Sequence, residues 1–244
     1  MSDSPVTTNY DGALAITTID SPASRYALDA PMRTAVADAV AQAGDNSKVR
    51  ALLIRGANGC FATGVVPYDQ EGLAIGAASA VAAAKKPTIA WIKGDCHDMG
   101  LELALACDIR VCSGDARFAM RQVRQGLLPW DGGTQRLARV IGRGQALRML
   151  LTGEEIDGYE ALRLGLVQLL GEYSDATALA NQVAASAPIA ASYAKEATLS
   201  GADLSLSQGL RLEADLSVLL QSTDDRDAGL RGFQERSNPE FTGR

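Results

Sequence analysis

Short apolar runs punctuated by glycine and proline alternate with helically spaced stretches over the first two thirds of the chain. The β-branched run GALAITTI at residues 12–19, bounded by Asp11-Gly12 and Ser21-Pro22, predicts a first strand. Residues 30–43 carry helical spacing, with Pro31 near the start and Gly44 just past the end. VRALLIR at 49–55 is apolar enough for a buried strand, and Gly56 stops it. An Ala-rich helix is predicted at 73–84, a strand at 88–93 (TIAWIK), a helix at 100–107 (GLELALAC) and a strand at 109–112. Helices are predicted at 133–141, 143–151 and 158–164.

Strands alternating with helices predict an α/β core. From about residue 176 the pattern is helical only, and Leu206, Leu210, Leu216 and Leu220 mark an amphipathic stretch before the polar TDDRD turn. The expected division is a core at 1–195 and a helical C-terminal region at 196–244. No low-complexity linker separates them, so the tail is expected to pack on the core or on another subunit.

Composition narrows the function. The chain has 244 residues, 47% hydrophobic and 21% charged, ordinary values for a folded protein. A net charge of −6 disfavours nucleic acid as the main partner, because phosphate backbones need a basic surface. No apolar run spans a bilayer and MSDSPVTTNY has no leader-like segment, so a cytoplasmic protein without a membrane partner is expected. Cys60, Cys96, Cys107 and Cys112 form no C-x-x-C pair, and His97 is the only histidine. A zinc cluster is therefore not expected, and neither is a Ser-His-Asp triad, since no serine stands in a G-x-S-x-G elbow.

Two loops remain as candidates. GCFATGVV at 59–66 follows the second strand, and KGDCHDMGLELALACD at 93–108 runs from the third strand into a helix. Glycine at a strand end is a common turn. It also leaves backbone N–H groups accessible, and a helix N-terminus adds unpaired donors suited to a developing oxyanion.

The stretch KKPTIAWIKGDCHDMGLELALACDIRVCSGDARF, followed by GLLPWDGGTQRLARVIGRGQALRMLLTG and EALRLGLV, resembles the enoyl-CoA hydratase/isomerase (crotonase) superfamily. GCFATG is similar to the family's aFsaG segment, and GLRGFQERSNPEFTGR to its C-terminal helix and tail. The resemblance implies a spiral of ββα repeats, a helical C-terminal trimerisation region and a homotrimer or homohexamer. It also implies an acyl-CoA thioester as substrate, with CoA entering as part of that substrate and no separate cofactor. By position, the backbone N–H groups of Val65 and Met99 would form the oxyanion hole. Arg25 and the Thr63 carbonyl would meet CoA.

Family hydratases use two glutamates. Glu102 matches the first, and a glutamate in the first turn of any helix also simply complements the dipole. The second position holds Gln122, which can orient water but cannot exchange protons at neutral pH. Val66 replaces a common acidic residue, Asp98-Met99-Gly100 replaces consecutive glycines, and the segment from Gly64 to Pro87 is shorter than usual. Asp131, beside Trp130 in LLPWDGG, is the candidate replacement acid, its alternative role being a helix cap. An adjacent indole would make the pocket more apolar and suit a general acid. His97 and Asp98 are further candidates, His97 for orienting water.

The leading expectation is a hydratase acting on an α,β-unsaturated acyl-CoA, cyclic acyl groups included. Missing the second glutamate, the chain also fits a hydrolase or carbon–carbon bond cleaver of a β-keto acyl-CoA, or an isomerase, which needs one base. A non-catalytic CoA-ester-binding scaffold is the alternative of another class.

Overall fold

A computed structural model describes residues 5–22, 25–64 and 76–244. The first sheet has six strands in the order β1 (Val6–Asp11), β2 (Leu14–Ile19), β3 (Ala51–Gly56), β5 (Thr88–Ile92), β7 (Ile109–Cys112) and β10 (Leu169–Leu170). β1 and β2 form an antiparallel hairpin, and the pairings from β2 to β10 are parallel. β1 was not expected, because VTTNYD is largely exposed and polar, and Gly12 belongs to the hairpin turn rather than to the strand.

The second sheet is built from three-residue strands. β4 (Cys60–Ala62), β6 (Asp95–His97) and β8 (Arg117–Ala119) run parallel, and β9 (Glu155–Asp157) closes the sheet antiparallel to β8. Each of these parallel strands follows a strand of the first sheet. The units β3–β4–α2 (Ala77–Ala82) and β5–β6–α3 (Met99–Ala106) repeat the same corner, and β7–β8 begins it again before α4 (Gly133–Ile141). This is the crotonase-like spiral.

Alternation along β3 explains its burial on both faces. Leu52 and Ile54 enter the main core with α1 (Ala30–Asp45), α2, α3 and the second sheet. Ala51 and Leu53 face Ala176, Ala180 and Ala184 of α7 (Tyr173–Ala184). α5 (Arg143–Thr152) and α6 (Gly158–Leu164) follow α4 with the bounds the sequence predicts to within a residue. The predicted helix at 73–84 is described over α2; its first three positions lie outside the described residues.

The C-terminal helices bury little against the rest of the chain. α8 (Pro188–Gly201) contains the 195/196 division within an unbroken helix and buries no residue; α9 (Leu206–Leu220) buries only Leu216. Lys195 ties α8 to the core through a 2.8 Å ion pair with Asp108. The tail folds back after α10 (Asp224–Glu235): Thr242 and Gly243 donate N–H bonds to the Asp225 carboxylate, and Arg50 donates to the Phe241 carbonyl. Among the described residues no helix is long and apolar enough to cross a membrane.

Candidate active site

The turn from β6 into α3 places the first functional group. Asp98 caps α3 with φ 54° and ψ −114°, a backbone geometry normally left to glycine. Its side chain compensates: Oδ1 accepts the Arg121 N–H at 2.5 Å, and Oδ2 lies 3.6 Å from the Arg121 guanidinium. The expected catalytic possibility for Asp98 thus becomes a structural occupation, holding a strained corner. Next in the chain, Gly100 is required by close approach, since a Cβ there would lie 1.9 Å from the Ala62 carbonyl oxygen.

That corner delivers Glu102 into the core. Glu102 is 0% exposed, in a helix whose other residues are all apolar or glycine. Oε1 accepts two backbone N–H bonds, from Asp131 and from Gly133, each at 2.9 Å. Oε2 has no hydrogen-bond partner among the described residues. Packing around the stem is tight: a methyl at Gly133 would sit 3.0 Å from Glu102 Cγ and 2.9 Å from Met120 Cε. Burial pushes the carboxyl from 4.5 up to about 7, against the pull of the two N–H donors. Asp131 adds to the rise and Arg136 opposes it. A carboxyl so poised can take up and return a proton near neutral pH.

Asp131 occupies a different place from the one expected. Both of its oxygens bind the start of α2: Oδ2 accepts the Ala78 N–H at 2.7 Å, and Oδ1 accepts the Ser79 N–H at 3.0 Å and the Ser79 hydroxyl at 2.5 Å. It caps α2 rather than the α4 helix that follows it, whose own cap, Gly132, has no side-chain bond. Its backbone N–H, not its carboxyl, reaches Glu102. Trp130 is 40% exposed, with the Arg33 guanidinium 5.2 Å from its ring centroid.

Gln122 is 4% exposed, and both its amide oxygen and nitrogen lack partners among the described residues. A buried amide left unpaired is costly unless a water or ligand completes it. The Met99 N–H makes a long 3.3 Å bond to the Gly64 carbonyl. Val65 lies outside the described residues. Thr63 bridges to Ala27; its carbonyl accepts the Leu28 N–H at 3.0 Å and its hydroxyl donates to the Arg25 carbonyl at 2.8 Å, so the two expected CoA contacts are neighbours. An open cleft of about 390 Å³ beside them is lined by Thr63, Gly64, Asp98, Arg121, Arg124 and Gln125.

His97 stands apart. Its Nε2 is 3.1 Å from Glu155 on β9, in an ion-pair contact without the alignment of a hydrogen bond. Burial, then Arg121, lowers its pKa against the opposing pull of Asp95, Glu155 and Asp98. No hydrogen bond or ion pair joins it to Glu102 among the described residues. The thiols are equally remote from proton chemistry, burial pushing Cys60 up to about 11 and Cys107 and Cys112 to about 12. Sequence reasoning missed the N–H groups of Asp131 and Gly133 as partners of Glu102. The Gly-Gly pair before α4 was the available signal. Ala78 and Ser79, 53 and 52 residues from the carboxylate they bind, had none.

Two short-strand corners that bring a buried carboxyl into the core define an α/β protein of crotonase-like fold. Residues 9–244 match the enoyl-CoA hydratase/isomerase family. The chain is 32% identical over 242 residues to the 2,3-dehydroadipyl-CoA hydratase of Escherichia coli, covering 93% of this chain and 94% of that protein. It is 41% identical over 162 residues to the (E)-benzylidenesuccinyl-CoA hydratase of Thauera aromatica, covering 65% and 63%. It superposes on the crystal structure of an enoyl-CoA hydratase from Mycobacterium tuberculosis with a TM-score of 0.93 and 28% identity, covering 99% and 100%. The chain belongs to the enoyl-CoA hydratase/isomerase family and is an enzyme of that family.

Proposed function

We propose that the enzyme adds water across the α,β double bond of an acyl-CoA thioester, with Glu102 as its single proton-exchanging group. The observation that carries this reading is the Glu102 carboxyl: buried, fixed at Oε1 by two N–H donors and, among the described residues, unpaired at Oε2. Ionised Glu102 removes a proton from water as the oxygen bonds to Cβ. The electron pair moves to the thioester oxygen, where the N–H groups of Met99 and Val65 receive the charge; such donors are worth roughly 100–1000-fold each. Glu102 then returns the proton to Cα. Gln122 supplies the unpaired amide that orients the water, and Asp131 holds Glu102 rather than serving as a second acid. Arg25 and Thr63 take the CoA end, the substrate bringing CoA with it and no further cofactor being needed.

The lack of an acid at Gln122 supports a second reading, an isomerase in which Glu102 shuttles a proton between Cα and Cγ. The likeness to the (E)-benzylidenesuccinyl-CoA hydratase, together with the altered loops, supports a substrate range that includes bulkier and cyclic acyl groups. The exposed apolar residues of α9 support assembly through residues 196–244 into a trimer or hexamer.

Incubation with crotonyl-CoA and with a cyclic β-keto acyl-CoA, followed by chromatography with mass detection, tests the reaction. Gain of one water by crotonyl-CoA, with its thioester intact, is expected. A shifted double bond without mass change replaces hydration with isomerisation, a ring-opened acid replaces it with hydrolysis, and CoA-ester binding without turnover leaves only a scaffold.

A further inference from the structure

One residue joins three parts of the site. The Asp131 N–H bonds Glu102 Oε1, the Asp131 carboxylate receives both N–H groups at the start of α2, and the Asp131 carbonyl accepts a 2.6 Å bond from Arg136 of α4. The fit to α2 is close. A Cβ at Gly76, the cap residue of α2, would stand 2.3 Å from the Asp131 carboxylate, so only glycine lets the two meet. Asp131 is also buried, and neither of its oxygens is left without a donor.

We infer that Asp131 is a positioning residue, which locks the Glu102 carboxyl to the start of α2. This rests on the proposed role of Glu102. The cap is built for two oxygens. Asparagine offers one oxygen and an N–H₂ group, which would face an α2 N–H donor, so its usual equivalence to aspartate as a cap does not hold here. Among the described residues the charged groups acting on Glu102 are Asp131 and Arg136, in opposite directions. Neutralising Asp131 leaves Arg136 unopposed and favours ionised Glu102 at lower pH.

The test is Asp131→Asn in the full chain, with Glu102 followed directly by difference infrared titration of its protonated carboxyl band, identified by its loss in Glu102→Gln. The Glu102 midpoint is expected to move to lower pH, and kcat for crotonyl-CoA hydration to fall roughly tenfold with KM little changed, the size of a lost hydrogen bond. An unmoved midpoint with only a lower melting temperature makes Asp131 a plain cap and overturns the inference. A kcat loss as large as that of Glu102→Gln, with the midpoint unmoved, makes it the proton donor and also overturns it. The infrared midpoint needs no turnover, so a wild-type enzyme inactive on crotonyl-CoA sinks the hydration reading while this inference is still decided. Should Asp131→Asn fail to fold, Gly76→Ala serves. It keeps the charge but displaces the carboxylate, and an unchanged kcat and Glu102 midpoint in that variant would overturn the positioning role.

Discussion

Replacing Glu102 by glutamine separates what this residue does for chemistry from what it costs the fold. Glutamine retains an oxygen to accept the N–H groups of Asp131 and Gly133, so the local geometry is preserved. It loses ionisation, and turnover should drop by at least roughly 100-fold. Stability moves the other way. The rise of the Glu102 pKa from 4.5 to about 7, at about 1.36 kcal/mol per pH unit, makes ionisation in the folded protein about 3 kcal/mol less favourable than in the unfolded chain. Below 4.5 both states hold the proton and nothing is lost. Between 4.5 and about 7 the unfolded chain releases it first, so wild-type stability falls with rising pH and then levels. Glutamine cannot ionise. Its stability relative to wild type should therefore improve by about 3 kcal/mol between pH 4.5 and pH 8.5, whatever fixed offset its buried amide adds. Urea unfolding of both proteins at one protein concentration across that range measures the difference. A stability difference independent of pH, or wild-type turnover by the variant, would refute the reasoning.

Because the mechanism begins from ionised Glu102, kcat/KM of the wild type should rise with pH through about 7 and then plateau. A flat profile from pH 5.5 to 8.5 counts against Glu102 as the base. Gly100→Ala places a methyl 1.9 Å from the Ala62 carbonyl oxygen and should destabilise by about 3 kcal/mol, visible as insoluble expression or a lowered melting temperature; a wild-type melting curve would contradict the packing of α3 against β4. Leu206 and Phe233 are 79% and 84% exposed in the single chain. Light scattering at micromolar concentration should give a trimer or hexamer that Leu206→Glu with Leu210→Glu weakens, and a wild-type mass near 25.5 kDa would rule assembly out.

What the sequence determined by itself is local. Strands β2, β3, β5 and β7 and helices α1 and α3 to α6 were legible, because each has enough residues for an apolar run or period; β1 is too polar and β10, two residues long, too short to show one. Glu102 was legible too, as the lone acid in a Leu/Ala helix whose surroundings match a known family. The second sheet was not legible, since three-residue strands such as Asp95–His97 show no period and exist only through pairing with neighbours. The fate of Asp131 was also decided by the tertiary structure alone. Sequence gives a carboxylate before a helix, and its neighbour in the chain is the natural helix to cap. The fold instead brings the α2 N–H groups, more than 50 residues away, within 3.0 Å of its oxygens. It also withdraws Glu102 from bulk solvent, and that burial, which no spacing of residues records, raises the carboxyl to about 7.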